Sequence, residues 1–194
     1  MMKTMYRSII IVLLLMIAAC SATDSGEYRG KAAPQHQRIL ATAHSLALEK
    51  GRVEHALAAH MISQKLSRQK SDEYASLIIK HSAAYQVDPY LVLAIMEAET
   101  GGTYDRRLVG EHGDTGLMQI LPSTQKYMGI KGSLFEPSVN IQTGSKYLAY
   151  CQKRFGYRLG IVAYNQGEGN VRKGTYSKAY LYRIERIMAA IRNP

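Results

Sequence analysis

Glu99 occupies a place that does not suit an anion. It lies in the stretch A-I-M-E-A-E-T-G, from Ala94 to Gly101. The spacing predicts a helix over 89–100. Asp88 offers an N-cap acceptor, and Pro89 loses nothing by lacking an N–H in the first turn. Gly101 and Gly102 stop the helix where positive φ is permitted. Glu99 therefore falls in the last turn, where the helix carries partial negative charge, above apolar turns that hold Val92 and Ile95. Both effects disfavour the ionised carboxylate and raise its pKa. A carboxyl that keeps its proton near neutral pH is a candidate general acid. Glu97, two positions earlier, points to another face of the same helix and is expected to be an ordinary solvated residue.

The elements around this acid read as helices. Residues 36–70 form a basic helical stretch, as one helix or as two broken near Gly51, that packs on the main domain or touches a partner. Asp72 to Gln86 carries Tyr74, Leu77, Ile78, His81 and Tyr85 at helical spacing. Gly110 to Leu117 is a glycine-rich loop. A short helix is expected over Pro122–Met128. A longer one starts at Glu136-Pro137 and ends near Gly156, and another covers Leu159–Asn165. Gly167–Asn170 reads as a tight turn, and Ser177–Ile191 as a last amphipathic helix. The only strand signal is a small hairpin near 105–115. The class is mainly α.

The first 19 residues read as an export signal. Lys3 and Arg7 precede an apolar run, Ile9 to Ala19, that is shorter than the roughly 20 residues needed to span a bilayer. The run ends Ile17-Ala18-Ala19-Cys20, which resembles a lipobox. The expectation is cleavage before Cys20 and acylation of its thiol, which anchors the chain to a lipid membrane. By the same resemblance Ser21, not an aspartate, points to the outer membrane. Residues 20–35 are polar and read as a flexible tether. With Cys20 acylated, Cys151 is left as a small buried hydrophobe. The six histidines are scattered without metal-ligand spacing and are read as structural or surface residues, so no metal or cofactor is expected.

The chain has 194 residues and a formal charge of +10, which favours anionic partners. No lysine or arginine run is dense enough to indicate nucleic acid. There is no Trp, but there are 14 Tyr, whose flat apolar faces and hydroxyls suit sugars.

Three segments, in order, carry a resemblance. They are A-I-M-E-A-E-T-G at 94–101, G-L-M-Q-I-L-P-S-T at 116–124 and A-Y-N-Q-G-E-G-N-V at 163–171. N-I-Q-T-G-S-K-Y-L at 140–148 and the Tyr180 region fit the same pattern. Together they resemble the soluble-lytic-transglycosylase (SLT) family, within the lysozyme-like superfamily, over about residues 75–192. The resemblance implies a helical goose-type/SLT catalytic domain at 71–194. It places the family's catalytic glutamate on Glu99, with Thr100 in place of the usual serine. It implies substrate contacts from Thr100, Gly116, Met118, Gln119, Leu121, Tyr164, Asn165 and Tyr180. The implied reaction is cleavage of the β-1,4 bond between N-acetylmuramic acid and N-acetylglucosamine in peptidoglycan. Glu99 acts as sole acid and base, and 1,6-anhydromuramic ends form. A lipid-anchored place on the periplasmic side of the envelope follows, with an envelope-spanning machine as a further candidate partner. Two alternatives stay open. One is a hydrolytic muramidase in which Asp114 or Asp105 positions water, and the other is a non-catalytic wall-binding lipoprotein.

Overall fold

A computed structural model describes residues 29–193, with side chains from 39 onward. The expected export signal, Cys20 and the start of the tether lie outside the described residues. Two units are distinguished, Met1–Ala47 and Leu48–Pro194. In the first, the described part is helical, and its side chains from Ile39 are exposed.

The described residues form seven helices in order: α1 Arg29–Ser63, α2 Arg68–Tyr85, α3 Pro89–Thr100, α4 Pro122–Met128, α5 Pro137–Gln166, α6 Glu168–Lys173 and α7 Ala179–Arg192. α1 begins inside the stretch read as a tether and runs through Gly51 without a break. α5 contains the boundary expected near Gly156, where φ 77° and ψ 174° leave the helical region. The turn expected at 167–170 is instead the start of α6. The residues of the expected hairpin form no strand. Two isolated bridges, Val109 with Thr115 and Thr115 with Ile120, shape that loop.

The second unit is organised around α3. Leu91 through Met96 are wholly buried, consistent with a helix that is apolar on every side. Asp88 caps its N-terminus by accepting a hydrogen bond from the Tyr90 N–H, and Gly101 ends it at φ 61°. α7 packs on it most extensively, while α2 and α5 cover other faces. Leu181, Ile184, Met188 and Ile191 of α7, spaced at three and four residues, are the buried face that reaches it. A helix enclosed in this way holds its last turn rigidly, and the last turn carries Glu99.

Candidate active site

The loop after α3 is the scaffold of the site. Thr115 and Ile120 exchange two backbone hydrogen bonds at 3.0 Å each, which closes a tight turn over 116–119. Buried Asn140 on α5 holds that turn. Its amide donates to the Thr115 carbonyl at 2.7 Å and the Leu134 carbonyl at 2.8 Å, and its oxygen accepts from the Met118 N–H at 2.8 Å. Gly116 sits at φ 79°, and an added Cβ would meet the Asn140 amide and lie 2.7 Å from the Leu134 carbonyl oxygen. Only glycine fits so close an approach with that backbone.

Glu99 is partly buried at the floor of an open cleft of about 410 Å³. The Tyr180 hydroxyl on α7 donates to its Oε1 at 2.6 Å. Burial is the main cause pushing the Glu99 carboxyl above its ordinary range. The hydrogen bond from Tyr180 opposes this, the negative charge of Asp114 adds to it, and Arg183 and Asn165 oppose it. The net direction is upward, as expected from the sequence. The main cause is burial under the surrounding elements, which the helix terminus and the neighbouring apolar turns do not by themselves provide. Burial also raises Tyr180 and Tyr164, with the Glu99 charge adding to both, so both hydroxyls remain protonated donors.

Five of the catalytic and substrate-contact residues implied by the resemblance line the cleft: Glu99, Gln119, Leu121, Tyr164 and Asn165. The others support it from behind. Tyr180 touches the acid. The Thr100 hydroxyl donates to the Met96 carbonyl at 2.7 Å and accepts from the Tyr104 N–H, so it stabilises the helix end instead of facing the cleft. Met118 is wholly buried, with its side chain against Gly144 of α5. It shapes the cleft through its carbonyl, which accepts the Tyr164 hydroxyl at 2.9 Å. Gly116 is likewise backbone scaffold. The Gln119 amide N–H groups are engaged by the Gly116 carbonyl at 2.8 Å and the Leu108 carbonyl at 3.3 Å.

Other cleft residues escaped the sequence reading as contacts. His112 and Thr124 line it, and so do Tyr147, beside the Tyr164 ring at 5.3 Å, and Gln166. Asp114, one of the two carboxylates considered for water positioning, lines the cleft. The other, Asp105, is exposed and accepts the Arg107 N–H in a local turn. Among the described residues no group of three His, Cys, Asp or Glu side chains is placed to hold a metal ion. Cys151 is free and buried, and burial pushes its thiol up to about 12.

Glu97 overturns its sequence-based reading. Its side chain is 18% exposed and accepts from His60 at 2.6 Å and from the Tyr104 hydroxyl at 3.1 Å. Burial acts to raise its pKa, but the hydrogen bond and charge of His60 and the Tyr104 hydrogen bond outweigh it, so the carboxyl lies below its ordinary value. His60 is thus a specific partner on α1. Helical periodicity showed only that Glu97 and Glu99 diverge; it could not show what covers the Glu97 face.

Comparison with known proteins follows the same residues. The profile of the Transglycosylase SLT domain family matches residues 76–183. A curated relative named Transglycosylase, from Enterobacteria phage PRD1, is 32% identical over 100 residues, covering 51% of this chain and 37% of its own length. The chain thus spans little more than a third of that relative. The 70-kDa soluble lytic transglycosylase in complex with bulgecin A matches in fold, with a TM-score of 0.50 at 20% identity over 75% of this chain and 28% of that one. An inactive mutant of the lytic transglycosylase Slt from Pseudomonas aeruginosa aligns over 61% of this chain and 22% of its own, with 24% identity and a TM-score of 0.48. The family match covers more than half of the chain, including Glu99, the 116–124 loop and Tyr180, and the protein belongs to the transglycosylase SLT domain family.

Proposed function

We propose that the protein is a peptidoglycan lytic transglycosylase with Glu99 as its sole acid and base. The observation that carries this reading is the Glu99 carboxyl, raised by burial at the floor of an open cleft and held by Tyr180. Protonated Glu99 gives its proton to the glycosidic oxygen between N-acetylmuramic acid and N-acetylglucosamine, and the bond from that oxygen to the muramoyl C1 breaks. The muramoyl N-acetyl oxygen stabilises the cationic C1 in place of a protein nucleophile. Ionised Glu99 then takes the proton of the 6-hydroxyl as O6 attacks C1. A 1,6-anhydro ring closes, no water is consumed, and Glu99 is protonated again. Tyr180 supports the first half: its hydrogen bond favours the carboxylate that forms as the proton leaves. The basic chain suits a wall polymer with peptide carboxylates. The same reading places the protein in the bacterial envelope, with acylated Cys20 as its lipid anchor on the outer membrane and an envelope-spanning machine as a further candidate partner.

The test is mass spectrometry of digested peptidoglycan. Anhydromuramic ends from the wild type, and none from Glu99→Gln, are expected. Products heavier by one water would sink the reading and favour the muramidase. That alternative keeps one supporting observation, the Asp114 carboxylate in the cleft near Glu99. Asp114→Asn separates the two: a transglycosylase keeps its anhydro products, whereas a muramidase that relies on Asp114 to orient water loses turnover. No cleavage by the wild type would leave the wall-binding reading.

A further inference from the structure

Four tyrosine rings run outward from the wall of the cleft. Tyr164 lies 5.3 Å from Tyr147, Tyr147 stacks on Tyr150 at 6.2 Å with the rings 18° apart, and Tyr127 meets Tyr150 edge-on at 5.6 Å. The surface beside them is continuous. Tyr147 and Thr124 line both the cleft and a neighbouring depression, and Tyr127 lines that depression and the next one. The last depression, about 470 Å³, lies between Tyr127, Tyr150 and Tyr85 and holds Lys146 and Lys153. Lys146 donates to the Met128 carbonyl at 2.7 Å, whereas Lys153 is exposed.

Tyr127 is the unusual member. Its ring is 67% exposed, yet its hydroxyl is within 3.2 Å of the Tyr150 hydroxyl. Tyr150 is fixed in turn by the Arg154 guanidinium, which donates to its hydroxyl at 3.1 Å and lies 5.3 Å from its ring centre. Arg154 is anchored on Glu168 at 3.0 Å. A large apolar ring offered to solvent, but already ordered, loses little side-chain freedom when a ligand covers it. We propose that Tyr127 and Lys153 form a second glycan site outside the cleft, with a sugar ring of the strand on Tyr127 and a stem-peptide carboxylate on Lys153. The inference rests on the peptidoglycan reading of the cleft. Two observations favour a glycan with acidic branches: the surface is continuous with the cleft, and the lysines stand at its far end beside exposed aromatic surface. The strand would thereby be held on both sides of the depression shared by Thr124 and Tyr147.

The experiment is co-sedimentation of the full chain with purified peptidoglycan strands, with Glu99→Gln in every protein so that the strand is not consumed. Tyr127→Ala is expected to weaken binding about tenfold on strands with or without stem peptides. Lys153→Glu is expected to weaken binding on peptide-bearing strands and leave peptide-free strands unchanged. Tyr127→Phe, which keeps the ring, should bind within about twofold of the parent, so that loss in Tyr127→Ala with retention in Tyr127→Phe assigns the effect to the ring face. Unchanged binding by both Tyr127→Ala and Lys153→Glu overturns the site, and equal loss by Lys153→Glu on both kinds of strand overturns the carboxylate assignment. Because only binding is read, a failure of Glu99 as the acid would appear in the product analysis and not here.

Discussion

The Tyr180 hydroxyl donates to Glu99 Oε1 at 2.6 Å, from a helix 81 residues further along the chain. This contact favours the ionised carboxyl, against burial, which favours the protonated one. Tyr180→Phe removes the opposing effect, so the Glu99 pKa rises further. In the transglycosylase reading the protonated acid starts the reaction, and activity falls as pH climbs through that pKa. The alkaline limb of a pH–rate profile should therefore move to higher pH in Tyr180→Phe. Its maximal rate should drop about tenfold or more, because the carboxylate that forms in the reaction loses a donor. A limb that stayed in place would remove Tyr180 from the control of the acid.

Asn140 is expected to be among the most costly polar residues to truncate. Its side chain makes three buried hydrogen bonds to the backbone around 115–134. Asn140→Ala leaves two carbonyls and one N–H without that partner, at about 3 kcal/mol or more. Urea unfolding would measure it as a lower midpoint with an unchanged slope. Gly116→Ala should act on the same turn through strain and collision with Asn140. The two losses should be non-additive when combined, since both disrupt one contact.

His60 and Glu97 join α1 to α3 within the second unit at 2.6 Å. Either single substitution to alanine leaves a mostly buried polar partner behind, so each should cost about 2 kcal/mol, and a double-mutant cycle should return a coupling of at least about 1 kcal/mol. The folded Glu97 pKa lies below its ordinary value. Its contribution is therefore complete above that ordinary range and is lost as pH falls through the lower folded value. Wild type and Glu97→Gln should differ most near neutral pH and converge in acid. Equal stability at pH 7 would show the pair to be neutral.

His81 is 4% exposed, and burial, with Lys80 adding, lowers its pKa to about 4 from 6.5. The fold holds it neutral, while the unfolded chain takes up a proton below 6.5. Stability is therefore lost as pH falls from 6.5 towards 4, by at most about 3 kcal/mol. His81→Gln should flatten that part of the stability-versus-pH curve. A variant with the same slope as wild type would show that other groups carry it.

What was legible in the sequence depended on local physics. Asp88-Pro89 and Gly101 delimit α3 because capping and positive φ act over three or four residues. Pro122 and Gly129 delimit α4 in the same way. The short α6 reads as a turn in the sequence because Gly167 and Gly169 mask a helix whose buried residue is Val171. Glu97 was misread because its exposure depends on His60, 37 residues earlier. Met118 was placed in the cleft by resemblance. Packing against Gly144 turns its side chain into the core.

The sequence by itself determined that an apolar helix ends in an acid, that a glycine-rich turn follows, and that helices carry the rest, because each of these is set by neighbouring residues. The tertiary structure decided which groups meet that acid. Tyr180 and Arg183 come from α7, Asn165 from α5 and Asp114 from the loop after α3, and their distances to Glu99 are set by how α3, α5 and α7 pack. Burial, the largest influence on the carboxyl, exists only once those helices have closed around it.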